Sequence, residues 1–231
     1  MIIDATWFGR SNCLVVYWDP KLKRVQWWRY TTTEHSIEIA EDLHRLKQHG
    51  VYCSSITSDG GRGLTRAIFL VYPDIPHQRC VTHVQRWGLI LLTRNPKTEA
   101  GRELKPLLQV LSSIDTTAQK EQWLRSFDLW LNKWDIFLKQ RSYLKGARKW
   151  WYTHKSLRRV RALLLGAIPG LFHYLNDKNT PKTTNGIEGR FSSLKQHYRQ
   201  HRGLSKQRRE AYLAWYLTAI INRELPTHFE H

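Results

Sequence analysis

Two aspartates of this chain are placed as ligands of a divalent cation could be. Asp4 lies in an otherwise apolar stretch, where an ionised carboxylate is costly unless a positive or hydrogen-bonding group meets it. Asp59 follows a second such stretch and precedes Gly60 and Gly61, which leave the backbone open to close approach by a ligand. The two carboxylates could therefore share one cation. Taken alone, the sequence Ser-Asp-Gly-Gly is better explained as a simple turn.

A third acid, Glu188, lies at the start of a predicted helix and is isolated among basic residues, since the next acid along the chain is Glu210. A single glutamate in such a stretch most often neutralises its neighbours. It can also bind a metal ion beside phosphate, because Mg²⁺ prefers one or two carboxylates, waters and phosphate oxygens. Three acids brought together by a sheet and a late helix would suit a two-metal site. In such a site one ion activates the attacking oxygen and the other stabilises the leaving oxygen.

The composition indicates a folded protein with a polyanionic partner. The 231 residues include 37 Lys and Arg but 19 Asp and Glu, a net charge of +18, while 41% are hydrophobic. This balance excludes a disordered basic tail and favours nucleic acid over a membrane surface as the partner.

Three widely spaced cysteines indicate a reducing compartment, and the sequence contains neither a signal peptide nor an apolar run long enough to cross a bilayer. We therefore expect a cytoplasmic protein.

One basic segment is interleaved with aromatic residues. No acidic residue occurs between Asp135 and Asp177. The residues that we expect to contact DNA there are Arg148, Lys149, Trp150, Trp151, Arg158 and Arg159. Such a pattern favours phosphate contacts combined with stacking on exposed or distorted bases, and a solvated basic face over buried tryptophans is the alternative. The sequence contains no helix-turn-helix, zinc-finger pair or basic zipper that would read bases.

The amino-terminal part of the chain predicts an α/β core. Short runs of β-branched and aromatic residues at 2–8, 13–18 and 25–30 predict a three-stranded antiparallel meander. A helix with Ile37, Ala40, Leu43 and Leu46 at helical spacing follows and ends at Gly50. The remaining elements are a buried strand at 51–57, a helix at 62–72 with Leu64, Ile68 and Val71 inward, and a strand at 77–81. The order β-β-β-α-β-α-β-α predicts a mixed sheet with flanking helices.

The pattern changes after Pro96. Residues 98–177 contain no convincing strand. Five aromatic residues form one face of a long helix, which we interpret as core: Trp123, Phe127, Trp130, Trp134 and Phe137. Helices are again predicted at 184–198 and 209–222. We therefore expect an α/β core, with the all-helical segment either an insertion in that domain or the start of a second domain.

Several stretches resemble the Mutator-like transposases and their bacterial insertion-sequence relatives. In order, these are Ile3-Asp4-Ala5-Thr6, Thr57-Ser58-Asp59-Gly60, Arg79-Cys80-Val81-Thr82-His83, Thr184-Asn185-Gly186-Ile187-Glu188-Gly189 and Arg202-Gly203-Leu204-Ser205. The resemblance implies an RNase H-like core in which Asp4, Asp59 and Glu188 form a catalytic, metal-binding DDE triad with two Mg²⁺ or Mn²⁺ ions. It also implies that residues 1–96 are the first part of the core, 97–181 a helical insertion, and 182–231 the helices that carry the third acid.

The resemblance also suggests roles for other residues. Cys80, His83 and Asn185 are expected near the active site. The basic residues that follow the third acid are expected to contact DNA: Arg190, Lys195, Arg199 and Arg202. From the residues alone, Cys80 and His83 could instead be half of a zinc site, completed only if the fold brings Cys53 and His77 to them, or a buried cysteine beside a hydrogen-bonded histidine.

The implied function is cut-and-paste transposition of an insertion sequence. The partners are then transposon ends and target DNA, the active complex is a homo-oligomer, and the location is the cytoplasm, in association with the nucleoid if the protein is bacterial. Because Asp4 is three residues from the first Met, we expect that the amino-terminal DNA-binding region of the family is missing. The alternatives are a metal-dependent nuclease without strand transfer and a non-catalytic DNA-binding remnant.

Overall fold

The computed structural model describes residues 1–9, 12–144, 148–201 and 203–221. The chain divides into two compact units. The first contains residues 1–78 and 179–231, and the second is the continuous segment 79–178. The prediction of boundaries after residues 96 and 181 stays a prediction.

A five-stranded mixed sheet is the centre of the first unit, with the strand order β3-β2-β1-β4-β5. The strands are β1 (Ile2–Phe8), β2 (Asn12–Asp19), β3 (Arg24–Thr31), β4 (Ile56–Ser58) and β5 (His77–Arg79). β1 pairs antiparallel with β2, and β2 pairs antiparallel with β3, which confirms the predicted meander. β1 also pairs with β4, in parallel, so that Ile2 is opposite Thr57 and Ile3 is opposite Ser58.

The described residues form eight α-helices. They are α1 (Ser36–Gln48), α2 (Arg62–Val71), α3 (Val81–Leu92), α4 (Glu99–Gln109), α5 (Thr117–Lys139), α6 (Lys155–Leu171), α7 (Asn185–Gln200) and α8 (Lys206–Trp215). A π-helical turn, Tyr216–Ile221, continues α8. None of these helices combines the length and the apolar composition that crossing a bilayer requires.

The sheet of the first unit is buried on both faces because its apolar side chains alternate between two clusters. Ile3 packs in one cluster with Leu43 of α1 and Ile68 of α2. Ile2 and Phe8 pack in the other cluster, with residues of α7 and α8 that include Ile187, Phe191 and Leu213. Successive residues of a strand point to opposite faces. Even-numbered positions of β1 therefore face α7, and odd-numbered positions face α1 and α2.

A buried carboxylate joins α1 to the sheet. Asp42 of α1 accepts hydrogen bonds from the Tyr17 hydroxyl at 3.0 Å and the Trp27 indole at 2.9 Å. The Arg29 guanidinium donates two more, at 2.8 and 2.6 Å. A buried charge is tolerated when it is paired and hydrogen-bonded in this way. These contacts fix α1 and the segment that precedes it against β2 and β3.

The second unit has a helical core of its own. The predicted aromatic face of α5 is confirmed, since Trp123, Phe127 and Trp130 are buried among residues of α3, α4 and α6. Gly88 of α3 lies so close to Leu108 of α4 that a Cβ there would be 2.6 Å from a Leu108 methyl carbon. The glycine therefore permits a close helix crossing.

The prediction that this segment is all-helical is wrong. β6 (Arg141–Tyr143) and β7 (Trp150–Tyr152) form a two-stranded antiparallel sheet between α5 and α6. Three consecutive aromatic residues in β7 have the β-propensity for a strand, but each strand is only three residues long, too short to show the alternation by which strands are recognised.

Three smaller predictions also differ from the structure. Of the predicted strand 51–57, only residues 56 and 57 are β-strand, and β4 continues to Ser58. The predicted strand 77–81 is shorter, because β5 ends at Arg79 and Val81 begins α3. Ile37 is 73% exposed, whereas Ile39 is buried and packs in the core beside Ala40. The helical spacing is confirmed, but the apolar face is shifted by two residues at the start of α1.

Candidate functional site

Asp4 and Asp59 occupy corresponding positions on adjacent parallel strands. Asp4 follows Ile3 in β1, Asp59 follows Ser58 at the end of β4, and Ile3 is opposite Ser58. Asp4 is only 5% exposed and accepts a hydrogen bond from the backbone N–H of Ala5 at 3.0 Å. Because parallel strands lie about 4.8 Å apart, the two residues are neighbours across the strand pair.

Glu188 belongs to the helix that covers the same face of the sheet. Asp4 shares its face of β1 with Ile2 and Phe8, and these pack with Ile187, which precedes Glu188 in α7. The hydroxyl of Thr184, which is fully buried, donates to Glu188 Oε1 at 3.1 Å. This contact orients the carboxylate at the first turn of α7, where the helix dipole favours negative charge.

The turn that follows β4 holds Asp59 in place. Gly60 has a φ of +76°, a backbone conformation that glycine adopts without strain. The Gly61 N–H donates to Asp59 Oδ1 at 2.9 Å, and the Gly60 N–H donates to Ser58 Oγ at 3.1 Å. Ser58 Oγ also lies 2.7 Å from His77 Nε2 of β5. The sequence Ser-Asp-Gly-Gly is thus a turn, and the same turn fixes the backbone of the carboxylate.

Sequence reasoning missed Glu34, a fourth acid beside Asp59. A Cβ placed on Gly61 would lie 3.5 Å from Asp59 Oδ1 and 3.6 Å from Glu34 Oε2, so both carboxylates border the same small space. Burial and the charge of Asp59 raise the pKa of Glu34, and side-chain hydrogen bonds from Trp7 and Cys13 oppose this rise. Glu34 lies in a Thr-rich loop just before α1. Nothing in the sequence distinguishes it from an ordinary acid at the start of a helix.

The buried thiol of Cys13 lies beside these carboxylates. Burial raises the pKa of Cys13 to about 12, and the charge of Glu34, a hydrogen bond to it, and the charges of Asp4 and Asp59 contribute to this rise. The Cys13 Sγ donates to Glu34 Oε1 at 3.8 Å. A concentration of carboxylates of this kind is electrostatically suited to a hard cation, which binds oxygen ligands.

The other residues expected near the site are distributed between the units. Asn185 is exposed and is the first residue of α7 in the first unit. Cys80 is buried and immediately precedes α3 in the second unit, where His83 is half-buried in the first turn. The alternative of a zinc site that includes Cys53 and His77 stays a prediction.

The basic residues of α7 differ in how they are placed. The Arg190 guanidinium lies over the ring of Trp18, 4.5 Å from its centroid, so this side chain packs on the sheet. Lys195 is half-buried and Arg199 is exposed. Arg202, which was also expected to contact DNA, lies outside the described residues.

The basic and aromatic residues of the second unit lie on and beside the two-stranded sheet. Arg148, Lys149 and Arg159 are on the surface. Arg158 donates to the carbonyl of Leu138 at 3.1 Å, so it stabilises the base of the strand pair. Trp150 and Trp151 are 41% and 45% exposed. Their exposure contradicts the alternative in which these tryptophans are buried beneath a solvated basic face.

Comparison with known proteins identifies the family. No curated protein matches the chain. The family described as "Transposase, Mutator family" matches residues 29–144, half of the chain. The matched segment contains Glu34, Asp59, Cys80 and His83, whereas Asp4 and Glu188 lie outside it. The chain therefore belongs to the Mutator family of transposases, enzymes that bind and process DNA.

Proposed function

We propose that this chain is the catalytic core of a DDE transposase that cuts and joins DNA during cut-and-paste transposition of an insertion sequence. The observation that carries the proposal is the parallel pairing of β1 with β4, which makes Asp4 and Asp59 neighbours on adjacent strands. Glu188 lies on the helix that covers the face of β1 to which Asp4 points. Three carboxylates from two strands and a later helix are the donor set that a hard divalent cation prefers.

The fold proposal is an RNase H-like core with an insertion. An antiparallel meander followed by a parallel strand beside β1, in the order β3-β2-β1-β4-β5, supports it. The second unit is continuous in sequence and separates the two parts of the first, as an insertion would. We keep residues 1–96 and 182–231 as the proposed core and 97–181 as the proposed insertion.

Asp4, Asp59 and Glu188 would hold two Mg²⁺ or Mn²⁺ ions, which activate the attacking oxygen and stabilise the leaving oxygen when bound. The chain contributes positioning. Asp4 is buried and accepts a hydrogen bond from the Ala5 N–H, the Gly60 turn fixes the backbone of Asp59, and Thr184 orients Glu188. In the proposed reaction, water hydrolyses a phosphodiester at the element end, and the freed 3′ hydroxyl then attacks target DNA at the same site.

DNA would be held mainly through its phosphates. Surface cations of both units support this, among them Arg199 in the first unit and Arg148, Lys149 and Arg159 in the second. Cys80, His83 and Asn185 are proposed to lie near the reacting phosphate, and the active complex is proposed to be a homo-oligomer that synapses two element ends.

The test replaces Asp59 by Asn, which keeps Oδ1 as the acceptor for the Gly61 N–H and removes one ligand charge. We expect D59N to lose Mg²⁺-dependent cleavage of element-end DNA while its duplex affinity is retained, because the basic surface is unchanged. Asp74→Asn, an exposed position between α2 and β5, is the matched control and should cleave normally. Cleavage by D59N at the wild-type rate would overturn the proposal.

The products separate the transposase from its alternatives. Joining of the cleaved 3′ end to a target plasmid supports transposition. Cleavage without joining would show a nuclease, and wild-type protein that binds DNA but cleaves nothing with Mg²⁺ or Mn²⁺ would show a DNA-binding remnant.

A further inference from the structure

The two-stranded sheet of the second unit, β6 and β7, is held to the helical core at the end where β6 begins and β7 ends. The His154 ring stacks on Phe137 of α5, with 3.7 Å between ring centroids, and its Nε2 lies 2.9 Å from Gln140 Oε1. The Thr153 N–H donates to the Gln140 carbonyl at 3.0 Å. These contacts tie the strand pair to the helical core, so its side chains project from a fixed support.

The two faces of this strand pair differ. Residues that are directly opposite in an antiparallel pair share a face, so Arg141 and Tyr152 lie on one face together with Tyr143 and Trp150. Rings and cations are already paired on this face. The Arg141 guanidinium lies 4.1 Å from the Trp150 ring centroid, and Trp150 meets the Tyr152 ring edge to face at 5.3 Å. The Arg158 guanidinium lies 3.5 Å from the Tyr152 centroid.

Trp151 is on the other face. It is opposite Ser142, whose small side chain bonds the Thr153 hydroxyl at 2.8 Å and covers little of the indole. Among the described residues, no aromatic ring and no cation lies over Trp151, and 45% of the residue is exposed. Arg148 and Lys149, both exposed, precede it by a few residues. An open aromatic plane that closely follows two exposed cations in the chain is complementary to a nucleotide, with the indole for the base and the cations for phosphate.

We propose that Trp151 stacks on an unpaired DNA base, so that the second unit binds single-stranded DNA more tightly than intact duplex. A base within a duplex presents only its edges in the grooves, whereas an unpaired base presents its flat face. The absence of any acid between Asp135 and Asp177 favours a nucleic acid over a protein segment as the occupant. This inference rests on the proposed function and names the form of DNA that the second unit engages.

Binding of the full-length chain to a fluorescein-labelled oligothymidylate, and to a duplex of the same length, tests the inference. Trp151→Ala should weaken single-strand binding about tenfold, the loss expected for one stacked base, and leave duplex binding unchanged. Trp151→Phe should keep most of the affinity. Tyr143→Ala, which removes an exposed ring from the opposite face, is the matched control and should bind both DNAs normally.

Stacking can be detected directly with an oligonucleotide that contains one 2-aminopurine, whose fluorescence should be quenched by wild type and W151F but not by W151A. Equal losses for single strand and duplex in W151A, or equal effects of W151A and Y143A, would overturn the inference. Because these measurements need no cleavage, they stand apart from the D59N test. Intact cleavage with no role for Trp151 refutes this inference alone, and Trp151-dependent binding without metal-dependent cleavage refutes the proposed function alone.

Discussion

The folded first unit disfavours ionisation of Glu34. Its pKa is raised from its ordinary value near 4.5 by burial and by the charge of Asp59. A carboxyl group whose pKa is raised by folding destabilises the folded state once it ionises. Below pH 4.5 the group is protonated in both states, and as the pH rises through the higher folded value this relative stability is lost. Without a bound cation, the neutral-pH protein therefore carries a penalty at this position.

We expect Glu34→Gln to resist urea better than wild type at pH 7.5 in chelator, because the amide keeps an acceptor for Cys13 and removes the repulsion with Asp59. The gain should shrink towards zero as the pH falls to 4.5. Glu41→Gln, at an exposed position of α1, is the control and should show no such trend. A variant less stable than wild type at pH 7.5 would mean that the Glu34 charge is compensated in the folded protein.

At the scale of elements, the segment before α1 and the start of α2 must approach closely for Glu34 to border Asp59. Gly63 in the first turn of α2 makes this possible, since a Cβ there would lie 2.5 Å from the Glu34 carbonyl oxygen. Because the obstacle is backbone, it cannot move aside as the end of a flexible side chain would. The close approach of the segment before α1 to α2 thus depends on the absence of a Cβ at Gly63.

We expect Gly63→Ala to lower the free energy of unfolding by about 1–3 kcal/mol, as overpacking does elsewhere. The matched substitution is Gly166→Ala in the middle of α6, where a Cβ meets nothing within 4 Å. There the better helix propensity of alanine should stabilise the protein by about 0.5–1 kcal/mol. Denaturant unfolding of both variants is the measurement, and an unperturbed G63A would show that the two segments can separate freely.

The elements that sequence predicted are those with a strong local signal. The meander has turn residues between β-branched runs, and the aromatic face of α5 repeats over five positions. The β6 and β7 strands carry too few residues for a period, and residues 51–55 resemble a strand in composition although they form no strand there. The two aspartates and Glu188 could be selected because each interrupts its surroundings. Glu34 could not, because only the tertiary approach at Gly63 brings it to Asp59.

At the scale of the whole molecule, the candidate chemistry and much of the candidate DNA surface belong to different units. The acids Asp4, Asp59 and Glu188 are in the first unit, and the acid-free segment between Asp135 and Asp177 is in the second. Binding by the cations of that segment should therefore not depend on metal. The net charge of +18 alone would attract DNA, so the contribution of particular cations has to be distinguished from general attraction.

Salt dependence makes that distinction, because each phosphate that a cation neutralises contributes about 0.9 to the slope of log affinity against log salt on duplex DNA. We expect simultaneous replacement of Arg148, Lys149 and Arg159 by Ala to flatten the slope in proportion to the number of phosphates that are no longer neutralised. Arg158 is left in place because it supports Leu138 and Tyr152. The matched control removes three cations that already pair with carboxylates: Arg125 with Glu121, Lys133 with Glu103, and Lys139 with Asp135.

Both triple variants lower the net charge equally, so general attraction predicts the same slope for the two. If the exposed cations beside β7 contact phosphates, only their replacement flattens the slope, because paired cations release few counterions from DNA. Titration of a labelled duplex over a range of salt concentrations, in chelator, gives both slopes. Equal slopes for the two variants would mean that this part of the second unit does not contact duplex phosphates, and that the DNA lies along other cations, such as those of α7.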